Sequence, residues 1–176
     1  MSFEFQPSLQ NKTVKIVPLK AEDFEKLYSI ASDPLLWEQH PSKTRYQKEV
    51  FEVFFKGAIE SKGAFLVFDI VSGETIGTSR FYDYYENKKT ISIGYTFIAR
   101  SHWGKNYNSS LKNLMLEHAF RFVENVIFHI GANNIRSQKA IERLGAKKID
   151  EQEISYYGEQ NNLNFIYLIK KSSFEK

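Results

Sequence analysis

Cysteine is absent from all 176 residues. That excludes disulfides, a thiolate nucleophile and any Cys-ligated metal. Histidine is scarce, and His40, His102, His118 and His129 form no H-x-x-x-H pair or other compact ligand set. Neither sign of charge dominates: 24 basic against 21 acidic residues leave a formal +3. This is too mild for a nucleic-acid binder, and the lysines and aromatics form no single-strand-binding motif. No apolar run approaches the length of a membrane span, and no basic segment followed by an apolar one opens the chain. A cytoplasmic protein with no membrane partner is therefore expected. Repeats, low-complexity tracts and linkers are missing too, which leaves residues 1–176 as a single domain. Aromatics are plentiful, with fifteen Phe, ten Tyr and two Trp. Core packing uses most of them, while tyrosines beside polar residues are candidates for a pocket wall.

The apolar pattern predicts a strand over Thr13–Leu19, where Val14 and Ile16 alternate with Lys15, and a helix over Ala21–Ala31 that Asp33-Pro34 ends. Leu36–Arg45 has no clean period. A second helix is expected over Lys43–Ile59 with Tyr46, Val50, Val53, Phe54 and Ala58 inward. Strands Ala64–Val71 and Thr75–Tyr84 flank a hairpin turn at Gly73-Glu74. Later come a strand Val126–Ile130, a helix Ile135–Leu144 stopped by Gly145, and a closing hairpin of Lys147–Tyr157 and Leu163–Lys170.

One stretch organises the rest. Ile91–Phe97 reads as a strand with Ile91, Ile93, Tyr95 and Phe97 on one side and Ser92, Gly94 and Thr96 on the other. A polar turn, Ser101–Asn108, follows, then a helix beginning near Ser109 with Leu111, Leu114, Met115, His118, Ala119 and Phe122 on one stripe. No acidic residue stands between Trp103 and Glu117, so the helix start offers free N–H groups in a positive field suited to phosphate oxygens. An ordinary polar turn with an Asn cap is the plainer reading of the same residues. Strand, helix and strand at this spacing form a βαβ unit with parallel strands. The order β-α-α-β-β-β-α-β-α-β-β predicts an α/β fold: a mixed, mostly antiparallel sheet of about seven strands, a central parallel pair, and helices on both faces.

Three pieces together resemble the GCN5-related N-acetyltransferase (GNAT) superfamily, and within it the RimJ/RimL branch of ribosomal-protein-alanine acetyltransferases. Ser92-Ile93-Gly94-Tyr95-Thr96-Phe97 resembles the family's central fourth strand, and Trp103-Gly104-Lys105-Asn106-Tyr107-Asn108-Ser109 its pyrophosphate loop. Asn134-Ile135-Arg136-Ser137 with Arg143-Leu144-Gly145-Ala146 resembles its Asn-x-x-Ser helix and that helix's ending. The likeness spans roughly Thr13 to Ile169. Asn106 and Asn108 depart from it, standing where the family has glycine and glycine or alanine. Asparagine tolerates left-handed backbone next best after glycine but adds bulk.

The resemblance implies acetyl-CoA as cofactor, held in a gap between Tyr95–Ile98 and Val126–Ile130. Backbone groups at Phe97 and Ile98 would meet the pantetheine arm, Lys105, Asn106, Tyr107, Asn108 and Ser109 the pyrophosphate, and Asn134 and Ser137 the far side of the arm. It implies direct attack by a neutral amine, and the missing cysteine excludes an enzyme thioester. The tyrosine many relatives use as acid is replaced by Ile141, as is common in the RimJ/RimL branch. Proton-handling candidates are His40 and Glu38 in the irregular loop, and Tyr82 and Tyr84. An acceptor wall is expected from Trp37, His40, Tyr82 and Tyr95, with Arg80 facing an acceptor carboxylate or bridging the sheet. The implied acceptor is a small-molecule amine or a peptide or protein N-terminus, and the protein a monomer or homodimer. A non-catalytic acyl-CoA-binding or protein-interaction module on the same fold is the alternative.

Overall fold

The structure is a computed structural model that describes residues 2–155 and 158–174. Eight strands form one sheet: β1 (Leu9–Gln10), β2 (Val14–Pro18), β3 (Ala64–Asp69), β4 (Thr75–Tyr85), β5 (Thr90–Ile98), β6 (Asn125–Gly131), β7 (Lys147–Ile154) and β8 (Asn162–Lys170). Their spatial order is β1-β2-β3-β4-β5-β6-β8-β7, and only β5 and β6 pair in parallel. The expected mixed sheet is thus present, with a two-residue edge strand added before Val14. The predicted strand Lys147–Tyr157 ends at Ile154, and its Tyr156 and Tyr157 lie outside the described residues.

Helices α1 (Phe24–Ala31) and α2 (Lys48–Glu60) cover one face, and α3 (Tyr107–Ala119) and α4 (Ile135–Arg143) the other; a short α5 (Lys171–Phe174) ends the described chain. The apolar core accordingly has two halves. Leu111, Met115 and Ala119 of α3 pack with Ile91, Ile93 and Phe128 beneath them. Leu27 of α1 packs with Phe51, Phe54 and Phe55 of α2 and with Phe97 on the opposite side.

Helix α2 differs from expectation. It begins at Lys48, and its buried stripe is Phe51, Phe54, Phe55 and Ala58, at three- and four-residue spacing. Val53 is 41% exposed and Val50 only half-buried, while Tyr46 precedes the helix. Large aromatics remove more apolar area from water than valine does, so they set the helix's rotation.

The predicted alternation along β5 also fails beyond Ile93. Ile91 and Ile93 pack against the α3 side, whereas Tyr95 and Phe97 pack against the α1–α2 side. Tyr95 has φ of 52°, and two steps along β4 (Thr78 to Arg80) oppose three along β5 (Phe97 to Gly94). One extra residue is therefore bulged out of β5, which turns every later side chain over. A second irregularity at Asp83, φ 50°, does the same to β4: Tyr82 stays on the α1–α2 face, and Tyr84 packs on Phe3 and Phe5 on the other.

Candidate active site

Parallel pairing between β5 and β6 covers Thr90–Ser92 against Asn125–Ile127 and then stops. The strands diverge beyond it, so the gap opens at Ile93 and Phe128; Val126, placed at the gap by the sequence, is instead paired with Ile91. A cavity of about 720 Å³ fills this wedge, within the range of small-molecule sites. It passes through the sheet. Lys112, Phe128 and Ile141 line it from the α3–α4 side, and Trp37, Tyr82 and Tyr95 from the α1–α2 side.

At one mouth stands the start of α3. The helix begins at Tyr107, two residues before the expected position, and Asn106 is its cap with φ 69° and ψ 4°. The first intrahelical bond runs from Ser110 N to Asn106 O at 3.0 Å. The N–H groups of Tyr107, Asn108 and Ser109 thus face out of the helix start. No acidic residue lies in the first turn. Ser110 is bound to Asn11 through side chain and carbonyl, which fixes the turn to the β1–β2 loop. Trp103 donates its indole N–H to Ile98 O at 2.9 Å, pinning the end of β5, and the Arg136 guanidinium lies 3.8 Å from the Trp103 ring centroid.

Of the residues implied for the cofactor, Phe97, Ile98, Asn106, Tyr107, Asn108, Ser109, Asn134 and Ser137 all line the cavity. Lys105 does not: it is exposed outside it. Asn134 caps α4 by accepting from Ser137 N at 3.3 Å. Arg136 and Arg143 line the same cavity from α4 and were given no role from sequence; their seven-residue, two-turn spacing on one helix face was the available signal. An acid-free helix start, a left-handed turn and two cations beside an opened strand pair fit the diphosphate and extended arm of coenzyme A.

Trp37, His40, Tyr82 and Tyr95, the residues implied for an acceptor wall, come together on the α1–α2 side of the cavity. Trp37 is buried, donating to Ala31 O at 2.7 Å and meeting Phe97 edge-on. His40 Nδ1 accepts the Ser42 N–H at 2.9 Å, and Arg45 Nη1 stands 3.3 Å from Nε2. Burial, with Arg45 second, holds its pKa well below the usual histidine range. With its Nδ1 lone pair engaged and a cation beside Nε2, His40 is a poor proton acceptor. Glu38 is exposed and does not line the cavity, and Tyr84 is on the far face. Arg80 is buried behind Tyr95, its guanidinium 3.9 Å from that ring's centroid, and it too is outside the lining.

Two residues without an assigned role in the sequence enter here. His129, on β6, has Nδ1 3.1 Å from the Tyr82 hydroxyl. Burial lowers its pKa, with Asp83 opposing, so the ring is neutral near pH 7. Gly94 makes room for this contact, because a Cβ there would lie 3.0 Å from the Tyr82 ring and hydroxyl. Glu159, from the β7–β8 turn, pairs with Arg45 beneath Trp37 and Phe54. Both depend on pairings far apart in the chain that no local pattern reveals.

The family model for the acetyltransferase (GNAT) domain matches residues 13–147. The chain belongs to the GNAT acetyltransferases. Solved structures agree on the fold of this GNAT protein. A GCN5-related N-acetyltransferase from Brucella melitensis superposes with TM-score 0.83 at 17% identity, over 97% of this chain and 81% of that one. A GNAT-family acetyltransferase from Bacillus anthracis gives 0.75 at 18% identity, over 94% and 99%. Spermidine N-acetyltransferase from Vibrio cholerae, solved with CoA and spermine, gives 0.71 at 15% identity, over 94% and 100%. No curated protein matches. The GNAT fold accounts for acetyl-CoA-dependent transfer in general, and among the described residues no helix of this member is long and apolar enough to cross a membrane.

Proposed function

We propose that this GNAT protein transfers the acetyl group of acetyl-CoA to a primary amine of a small molecule or peptide N-terminus by direct attack, in the manner of the RimJ/RimL branch. The observation that carries the reading is the cavity through the sheet, with an acid-free helix start at one end and the Tyr82, Tyr95 and His129 cluster at the other. Acetyl-CoA supplies an activated thioester carbonyl. Asn106–Ser109 hold the diphosphate through backbone N–H groups, Arg136 and Arg143 add charge, and β5 beyond Gly94 orients the arm. The bulge at Tyr95 breaks the regular β4–β5 ladder beside the cavity, and backbone N–H groups there would polarise the carbonyl. Tyr82 and neutral His129 accept the amine's surplus proton: the hydroxyl, donating to Nδ1, passes a proton on as it receives one. Holding amine and carbonyl together supplies much of the rate.

Aromatic walls suit an amine with an apolar neighbour. The test is an amine panel with acetyl-CoA, reading thiol release and product mass together. Turnover with a mass gain of one acetyl group supports the reading. CoA binding without turnover on a broad panel favours the non-catalytic module, and failure to bind CoA overturns both.

A further inference from the structure

We propose that Lys112, on the face of α3 turned into the sheet, is the acid that protonates the coenzyme A sulfur as it leaves. The proposal rests on the acetyl-transfer reading above and names the group that completes it. Lys112 is only 4% exposed and lines the cavity. Its Nζ is 2.5 Å from Thr96 Oγ1 on the diverged part of β5 and 5.7 Å from the ring centroid of Phe128, the first β6 residue past the pairing. The ammonium therefore bridges the floor of the wedge where the two strands part. Ile141, on α4, lines the same cavity and offers no proton.

Among the described residues Lys112 has no ion pair; β5 turns Thr96 toward it, β4 turns Ser79, bonded to Thr96 at 2.8 Å, and β6 the Phe128 ring. Burial is the sole cause that lowers its pKa, to about 7. An unpaired buried charge is costly, and a methionine would fill the site without that cost. A group that cycles between charged and neutral forms near pH 7 is suited to proton transfer. As the amine nitrogen forms the C–N bond, the C–S bond breaks with its electron pair on sulfur. Lys112 gives an Nζ proton to that sulfur and is left as the neutral amine. The proton shed by nitrogen passes to Tyr82 and His129 and on to water, and Lys112 regains one from water after the thiol departs.

The experiment titrates CoA bound to wild type, Lys112→Met and Lys112→Arg, following thiolate ultraviolet absorbance, with calorimetric binding and melting curves alongside. Ammonium and thiolate stabilise each other, so in wild type the bound thiol ionises about 1–3 pH units below free CoA while Lys112 titrates correspondingly higher than in the empty protein. Lys112→Met binds CoA, melts no lower than wild type, returns the thiol to the free value and loses about 10²–10⁴-fold in kcat. Lys112→Arg keeps the charge but cannot give up a proton, so it retains the lowered thiol titration while turnover falls. An unchanged thiol titration in the CoA-bound Met variant, or wild-type turnover in the Arg variant, overturns the assignment and leaves acetyl transfer standing. If wild type binds no CoA, the acetyl-transfer reading itself is what fails.

Discussion

Asn106 is a sensitive point at which to perturb the turn proposed to hold the diphosphate. It holds φ 69° and ψ 4°, left-handed backbone at the cap of α3, and Ser109 Oγ donates to its side-chain oxygen. Alanine cannot share this conformation cheaply: a Cβ residue without a compensating polar group pays about 1–2 kcal/mol there. Glycine adopts it freely and loses the same Ser109 contact, so Asn106→Gly is the control for Asn106→Ala. The strain has two outlets. If the turn stays left-handed in the free protein, stability absorbs the cost; at about 2–4 °C per kcal/mol for a domain of this size, the Ala variant melts roughly 2–8 °C lower. If the turn relaxes when empty, CoA binding must restore it, and the same 1–2 kcal/mol weakens Kd by about 5–30-fold. Melting curves and calorimetric CoA titration of all three proteins apportion the two. An Ala variant matching both Asn and Gly in melting and in Kd would refute the claim that this turn must be left-handed to cradle a diphosphate.

Tyr82→Phe removes the hydroxyl that meets His129; kcat is expected to fall about 10²-fold, with CoA affinity unchanged by calorimetry, and an unaltered kcat would remove this pair from proton handling. Glu159→Gln strands the Arg45 guanidinium, 3% exposed between Trp37 and Phe54. It should cost about 3–5 kcal/mol in denaturant unfolding, largely recovered when Arg45→Met is added. His40, His118 and His129 all have pKa values lowered chiefly by burial. From about 6.5, the unfolded value, downward the unfolded chain binds more protons than the native one. Stability is therefore fully present above about pH 6.5 and drains as pH falls through the lower native values; a melting temperature flat from pH 7 to 5 would contradict this.

The order of elements was legible because it is written locally. Gly73 turns the β3–β4 hairpin with φ 73°, Gly145 ends α4 with φ 91°, and Asn134 caps α4, all as their neighbours indicate. The strand–turn–helix from Ile91 to Ala119 and the parallel return through Val126 were equally readable, since each rests on spacing within some thirty residues, although the helix stops three residues short of the expected Phe122. The turn Asn106–Ser109 at one mouth of the cavity was readable for the same reason, because its residues are consecutive in the chain.

The α1–α2 side of the cavity was not legible in the same way. Alternation placed Tyr95 beside Ile93 and Tyr84 beside Tyr82, and only the pairing of β4 with β5 inserts the bulges that reverse both. Lys112 was given no role from sequence, and the packing of α3 against diverged strands is what buries it. His129, Glu159 and Arg45 meet the cleft from three separate segments. What composition and periodicity determined was therefore the set of elements and the acid-free helix start, both encoded by near neighbours. Which side chains share the cleft, and which of them are stripped of water enough to change their chemistry, was decided by tertiary packing, because desolvation and register depend on residues distant in the chain.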